Sequence, residues 1–239
     1  MVTAILQSNY IPWKGYFDII GSVELFIFHD DLQYTKNDWR NRNKIKTPRG
    51  AEWLSVPCGT NENRLICEVE LRDHSWQAQH WSKITSSYSR SKYFKKYKTF
   101  FEDFYLGRNW ANLSEMNQIM ISSISQELLG IETRFTDSRC YGATAKKSAR
   151  VLELLDRSGA TSYLSGPAAK SYLNQVDFDA KGLDLHWMEY TGYPEYTQLY
   201  PPFIHEVSIL DMLFNLGDET ASYMLFNKKG SLHESLPCS

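Results

Sequence analysis

The feature that most constrains this chain lies at its beginning. A short apolar run, "TAILQ" (Thr3 to Gln7), is followed by a turn and then by a helical stretch that starts near Pro12 and continues through "WKGYFDII". A second apolar run, Leu25 to Phe28, follows and ends at Asp30 and Asp31. Strand, helix and strand with connections this short make a βαβ unit, whose two strands are parallel neighbours. Proline suits the first helical turn, where its missing N–H would have had no partner. The pattern predicts an α/β fold with a Rossmann-like parallel-sheet core.

Further along, "AEWLSVPC" and "RLICEVEL" read as two strands joined by the polar turn "GTNEN". From His74 to Gly130 apolar and aromatic residues recur at helical spacing, with Asn112 as a start signal and Gly130 as a stop. "TRFTDS" reads as a strand, "AKKSARVLELLDRSG" as a helix and "TSYLSGPAA" as a strand running into a Gly-Pro turn. The expected organisation is one domain over residues 1–227, with a mainly helical insertion at about 74–130 and a loose tail at 228–239.

Composition narrows the function classes. In a chain of 239 residues, a net charge of −2 argues against a protein that binds nucleic acid through bulk charge. The four cysteines form no C-x-x-C pair and do not cluster with histidines, so neither a zinc site nor a disulfide framework is expected. No run approaches the ~18 apolar residues of a membrane span, and no signal peptide is read at the N-terminus. These features predict a reduced, cytoplasmic protein. Aromatic residues reach 14%, with 15 Tyr and 7 Trp, which suits either a half-apolar ligand cleft or a plain core.

Five constellations stand out, each with a competing structural reading. Gln7, Asn9, Tyr10 and Lys14 leave the carboxyl edge of the first strand, where α/β folds bind ligands, and Gly15 would permit close approach. The competing reading is a packed aromatic corner. If Trp13 and Phe17 share one helix face, Lys14 must point elsewhere, and the expectation is a cleft shared with Arg40, Asn41 or Arg42 and floored by Gln7 and Tyr10. The loop from His29 to Gly50 combines Asp30, Asp31, Gln33, Tyr34, Trp39, Arg40, Asn41, Arg42 and Asn43, offering planar forks and amides to phosphate, carboxylate or sugar oxygens. Its alternative is a basic hairpin. Ser165 and Gly166, in a turn after a strand, lie near the same sheet edge, with an ordinary strand-to-helix turn as the alternative. His205 is an acid–base candidate on its ordinary pKa, although a lone histidine is more often structural. "RSKYFKKYK" (Arg90 to Lys98) reads as a solvated helix face. Phosphate-loop, dinucleotide, hydrolase-elbow and zinc-protease motifs are absent.

"LQSNYIPWKGYFDII", "DDLQYTKNDWRNRNKIKTPRG", "WLSVP", "YLSGPAAKSYL" and "VSILDMLFNLG" together resemble the hallmark segments of the WbqC-like family, over about Ile5 to Gly217. The family usually opens "QP", whereas Ser8 follows Gln7 here, and "LYPPFIHEVS" also departs from its pattern. The resemblance implies a place in bacterial surface-polysaccharide (O-antigen) biosynthesis. It further implies transfer of an aminoacyl (glycyl-like) or acyl group to the amino group of a nucleotide-linked amino sugar. In that reading Asp30 or Asp31 is the base, and Lys14 with Arg40 or Arg42 clamps the anion. No cofactor is firmly implied, ATP and an activated acyl or aminoacyl donor being the candidates, and no metal is expected. Two alternatives stay open: a non-catalytic sugar-nucleotide-binding partner, and an ATP-dependent adenylating amide ligase. The second resembles nucleotidyl-transferring enzymes with an H-x-G-H turn, whose histidines this chain lacks.

Overall fold

The computed structural model describes residues 1–229. Five parallel strands form the central sheet: β1 (Val2–Leu6), β2 (Leu25–Phe28), β5 (Arg134–Asp137), β6 (Ser162–Ser165) and β7 (Asp184–Trp187). Their spatial order is β5-β2-β1-β6-β7. The chain therefore winds outward from β1 through β2 to β5, then returns to the other side of β1 with β6 and β7. This is a doubly wound, Rossmann-like sheet, as the sequence predicts. Its topological switch point lies between β1 and β6.

β1 and β2, at the centre of the sheet, read as continuous apolar runs because both of their faces are covered. Along β2, Phe26 and Phe28 enter a larger core, while Leu25 and Ile27 enter a smaller one. The larger core holds Phe17, Ile19 and Ile20 of α1 (Lys14–Gly21), together with the helical segment between β2 and β5. The smaller core takes Leu154 and Leu155 from α5 (Lys147–Ser158) and Phe178 from α6 (Gln175–Asp179). Gly159 ends α5 at φ 71°, a left-handed position that favours glycine.

The insertion begins earlier than the periodicity indicates. Antiparallel strands β3 (Arg42–Thr47) and β4 (Gly50–Ser55) form a hairpin before the helices α2 (Ser75–Tyr88), α3 (Phe94–Leu106) and α4 (Leu113–Ser123). Asn112 caps α4, its side chain accepting from the Glu115 amide at 3.0 Å. "RLICEVEL" is not a strand. Ile66–Glu68 form a 3-10 turn whose Ile66 and Val69 face the core. Its backbone is held by the loop after β2, with Ile66 N–H donating to the Leu32 carbonyl and Cys67 N–H to that of Asp30, both at 2.9 Å.

After β7 an extended segment leads to α7 (Ile209–Leu216), and the last described element is α8 (Phe226–Lys229). The expected loose tail falls outside the described residues except for Lys228 and Lys229, which belong to α8. Among the described residues no helix is long and apolar enough to cross a membrane.

Candidate functional site

A cavity of about 300 Å³ opens at the carboxyl edge of the sheet, at the switch point between β1 and β6. Gln7 and Asn9 reach it from β1, His29 and Leu32 from β2, and Ser165 and Gly166 from β6; Arg40, Tyr163 and Tyr172 also contribute. The local reason is topological. Neighbouring connections leave β1 and β6 toward opposite faces of the sheet, which leaves a crevice between their ends.

Several wall groups are held in place while keeping unused capacity. The Gln7 side-chain oxygen accepts from the Arg40 guanidinium. Arg40 also pairs with Asp38 at 3.3 Å, yet its Nε is buried without a partner among the described residues. Asn9 Oδ1 is likewise buried and unpaired. The Ser165 hydroxyl contacts Tyr163 Oη at 3.4 Å. At Gly166 a Cβ would meet only Tyr190 Oη at 3.7 Å, ordinary contact, so the fold does not require glycine there. The missing side chain leaves the cavity wall open.

His29 was not singled out in the sequence, nor was its partner Arg150 on α5. Arg150 Nε donates to His29 Nε2 at 3.1 Å, and its guanidinium also pairs with Asp31. A guanidinium cannot accept, so His29 must be neutral with its proton on Nδ1. Burial agrees, holding the imidazole below its ordinary pKa. The local signal was present, because His29 opens the polar loop at the end of β2. Its partner lies 121 positions away and could not be read.

The two aspartates occupy different environments. Asp30 is fully buried: Oδ1 accepts from the Ser8 amide at 2.8 Å, and Oδ2 from Ser114 and, at 3.0 Å, from Gln118. It braces the first turn against α4. Ser8, which departs from the family's proline, supplies an N–H that proline lacks. Asp31 accepts from the Ser138 hydroxyl at 2.5 Å as well as from Arg150. Neither aspartate lines the cavity.

Other candidates are structural in their placement. Tyr10 is 1% exposed and does not floor the cleft; its hydroxyl bonds His80 Nδ1 at 2.8 Å and Tyr105 Oη at 2.6 Å inside the helical segment. Asn43 donates to the Tyr10 and Ile11 carbonyls at 3.1 and 2.9 Å, pinning the hairpin to the opening turn. Asn41 donates to the Val56 carbonyl at 2.9 Å. Tyr34 is buried under the Arg64 guanidinium, and Gln33 pairs with Leu65 in an isolated bridge. Arg42 stacks on Trp53, its guanidinium carbon 4.3 Å from the ring centroid, and Trp39 leans on the same indole.

Lys14 does not join Arg40, Asn41 or Arg42. It is buried, its Nζ donating to His205 Nδ1 at 2.8 Å and lying 4.5 Å from the centroid of the Tyr193 ring. Burial pulls its pKa down to about 8, against the favourable charges of Asp18, Glu206 and Asp211. His205 is also lowered, by burial and then by the Lys14 charge. Gly15 serves this corner rather than a ligand, since a Cβ there would come within 2.3 Å of the Trp13 ring.

The description of the WbqC-like protein family matches residues 7–223, which include every wall residue named above. The chain belongs to the WbqC-like family. A curated relative, Uncharacterized protein Rv1507c of Mycobacterium tuberculosis (strain ATCC 25618 / H37Rv), is 40% identical over 225 residues, covering 93% of this chain and 97% of its own length. No solved structure matches the chain. In this WbqC-like protein the hallmark segments of the sequence converge unequally. "LQSNY", "HDDL" and "YLSGPAA" meet at the switch point, whereas "RNKIKTPRG" builds the hairpin and "VSILDMLFNLG" forms α7.

Proposed function

We propose that this WbqC-like protein acts in bacterial surface-polysaccharide biosynthesis, holding a nucleotide-linked amino sugar in the switch-point cavity and transferring an aminoacyl or acyl group to its amino nitrogen. One observation carries the reading: a guanidinium with an unused, buried Nε–H and a neutral imidazole line the same cavity at the sheet's carboxyl edge. Arg40, steadied by Gln7, suits a diphosphate oxygen. Tyr172, 60% exposed, offers a ring face to a base or sugar. The reading carries a cytoplasmic location with it.

In the transfer, the sugar nitrogen attacks the acyl carbon, an N–C bond forms, the bond to the donor's leaving group breaks, and the nitrogen loses a proton. His29 Nδ1–H is a donor for the carbonyl oxygen as negative charge develops there. Neither carboxylate after β2 lines the cavity, so the base is assigned to Asp31, the less enclosed of the two with its side chain 15% exposed, taking the proton through an intervening water. The acyl or aminoacyl donor arrives activated or is activated with ATP.

A second reading is favoured by the engagement of both carboxylates with protein donors. In it the protein binds the nucleotide sugar without turnover, as the partner of a transferase. Purified protein incubated with an amino-sugar nucleotide, ATP, and a panel of amino acids and activated acyl donors separates the two. A product heavier by the acyl group supports transfer. A stabilising thermal shift with no product across the panel supports the module, and neither result with any nucleotide sugar ends both readings.

A further inference from the structure

Asn9 also lines a second cavity, of about 290 Å³, whose other walls are Pro12, Trp13, Trp39, Asn43 and the exposed Glu206. Its chemistry differs from that of the switch-point cavity. The Asn43 amide is spent, donating to the Tyr10 and Ile11 carbonyls and accepting from the Lys44 amide. Asn9 Oδ1 is buried and unpaired. Glu206 forms no hydrogen bond or ion pair among the described residues; it acts on Lys14 and His205 only through its field. Lys14 also has the charges of Asp18 and Asp211 beside it, so Glu206 is not its sole counter-charge. The Glu206 carboxylate and Asn9 Oδ1 accept, while the Asn9 amide N–H groups and the indole N–H groups of Trp13 and Trp39 donate, so the one charged group on this wall is an acceptor.

The remaining wall is largely aromatic. Indole faces carry negative electrostatic potential and attract cations, most strongly where water is excluded. Among the described residues no lysine or arginine lines this cavity, in contrast to its neighbour, where Arg40 does. An anion would face the Glu206 carboxylate with no lining cation to offset the repulsion. A neutral apolar molecule would leave Asn9 Oδ1 buried and unpaired. A group with N–H donors, positive charge and a compact apolar body satisfies the carboxylate, the unpaired amide oxygen and the indole rings together. We propose that this second cavity binds the ammonium group of a small organic amine, with Glu206 and Asn9 Oδ1 accepting and Trp13 and Trp39 enclosing it. The inference rests on the cavity alone and stands whether or not the transfer reaction holds.

Titration of the full chain with n-butylammonium against its neutral counterpart 1-butanol and the anion butyrate, followed by tryptophan fluorescence, tests the site. The cation should bind about tenfold tighter than the alcohol, with no saturable change from butyrate. Glu206→Gln should remove most of that preference, and Trp39→Ala should weaken the cation about fivefold or more. Both residues are exposed, so an unchanged melting temperature shows that the fold is intact. Equal binding of cation and alcohol, saturable butyrate binding, or a Glu206→Gln variant that keeps the full preference would overturn the proposal.

Discussion

Arg150 on α5 donates to His29 Nε2 at 3.1 Å, and this single contact sets the protonation state of an imidazole that lines the switch-point cavity. The hydrogen cannot sit on Nε2, so it sits on Nδ1. His29 is therefore a donor in the resting protein.

Nitrogen-15 NMR of the histidine side chains should show His29 as the Nδ1–H tautomer at neutral pH. Arg150→Met should release the ring to the Nε2–H form or a mixture, and should weaken nucleotide-sugar binding. An Nε2–H tautomer in the unaltered protein would contradict the contact.

Gly166→Val should block the switch-point cavity at little cost to the fold. The glycine has φ −73°, within reach of any residue, and its surroundings offer only one ordinary contact. We expect a stability change within ~0.5 kcal/mol, as at permissive surface positions, with nucleotide-sugar binding lost by calorimetry. Normal binding by this variant would move the ligand elsewhere.

Lys14→Ala should behave as a core substitution. The side chain is 3% exposed and packed beside Tyr193, Phe203 and His205. Truncation should cost ~2–5 kcal/mol in urea unfolding, the range for long buried side chains, whereas Lys14→Met should cost much less by filling the space without a buried charge. An alanine variant as stable as the parent would mean that the corner is open.

His80 should give stability an acid-sensitive component. Burial lowers its pKa from 6.5 to about 4. Between these values the unfolded chain binds a proton that the folded chain refuses. Its contribution is thus complete above pH 6.5 and is lost as pH falls toward 4. Asp18 and Asp211, whose pKa values burial raises, oppose this trend, so the comparison must be between the parent and His80→Gln. The parent should lose on the order of 3 kcal/mol more than the variant across that window. Parallel curves would show that His80 titrates normally.

Local rules determined much of the fold. Apolar runs of four or five residues, a proline before α1, the Asn112 cap and the Gly159 stop each act within a few residues, so the sequence shows them directly. They sufficed for the βαβ start, the helical character of α2 to α4, and the edge at which a ligand site forms. β7 was missed because "DLHW" sits on a sheet edge with little apolar signal, exposed and half-buried residues alternating along it. "RLICEVEL" looked like a strand because its apolar residues alternate. In the fold, its backbone instead bonds to the loop after β2 and to the segment before α4, an arrangement that no local pattern encodes.

Side-chain fate was decided by partners distant in sequence. Periodicity says that Lys14 and Trp13 occupy different faces of α1, but not that residues 193–205 return to cover Lys14. Composition marked the polar loop after β2 as chemical, but only the packing of α4 encloses Asp30 and only α5 brings Arg150 to His29. The sequence by itself determined which groups reach the carboxyl edge, because strand direction and period are local. Which of them stay open to a ligand was decided by the tertiary structure, because burial and pairing depend on elements about 80 to 190 positions away.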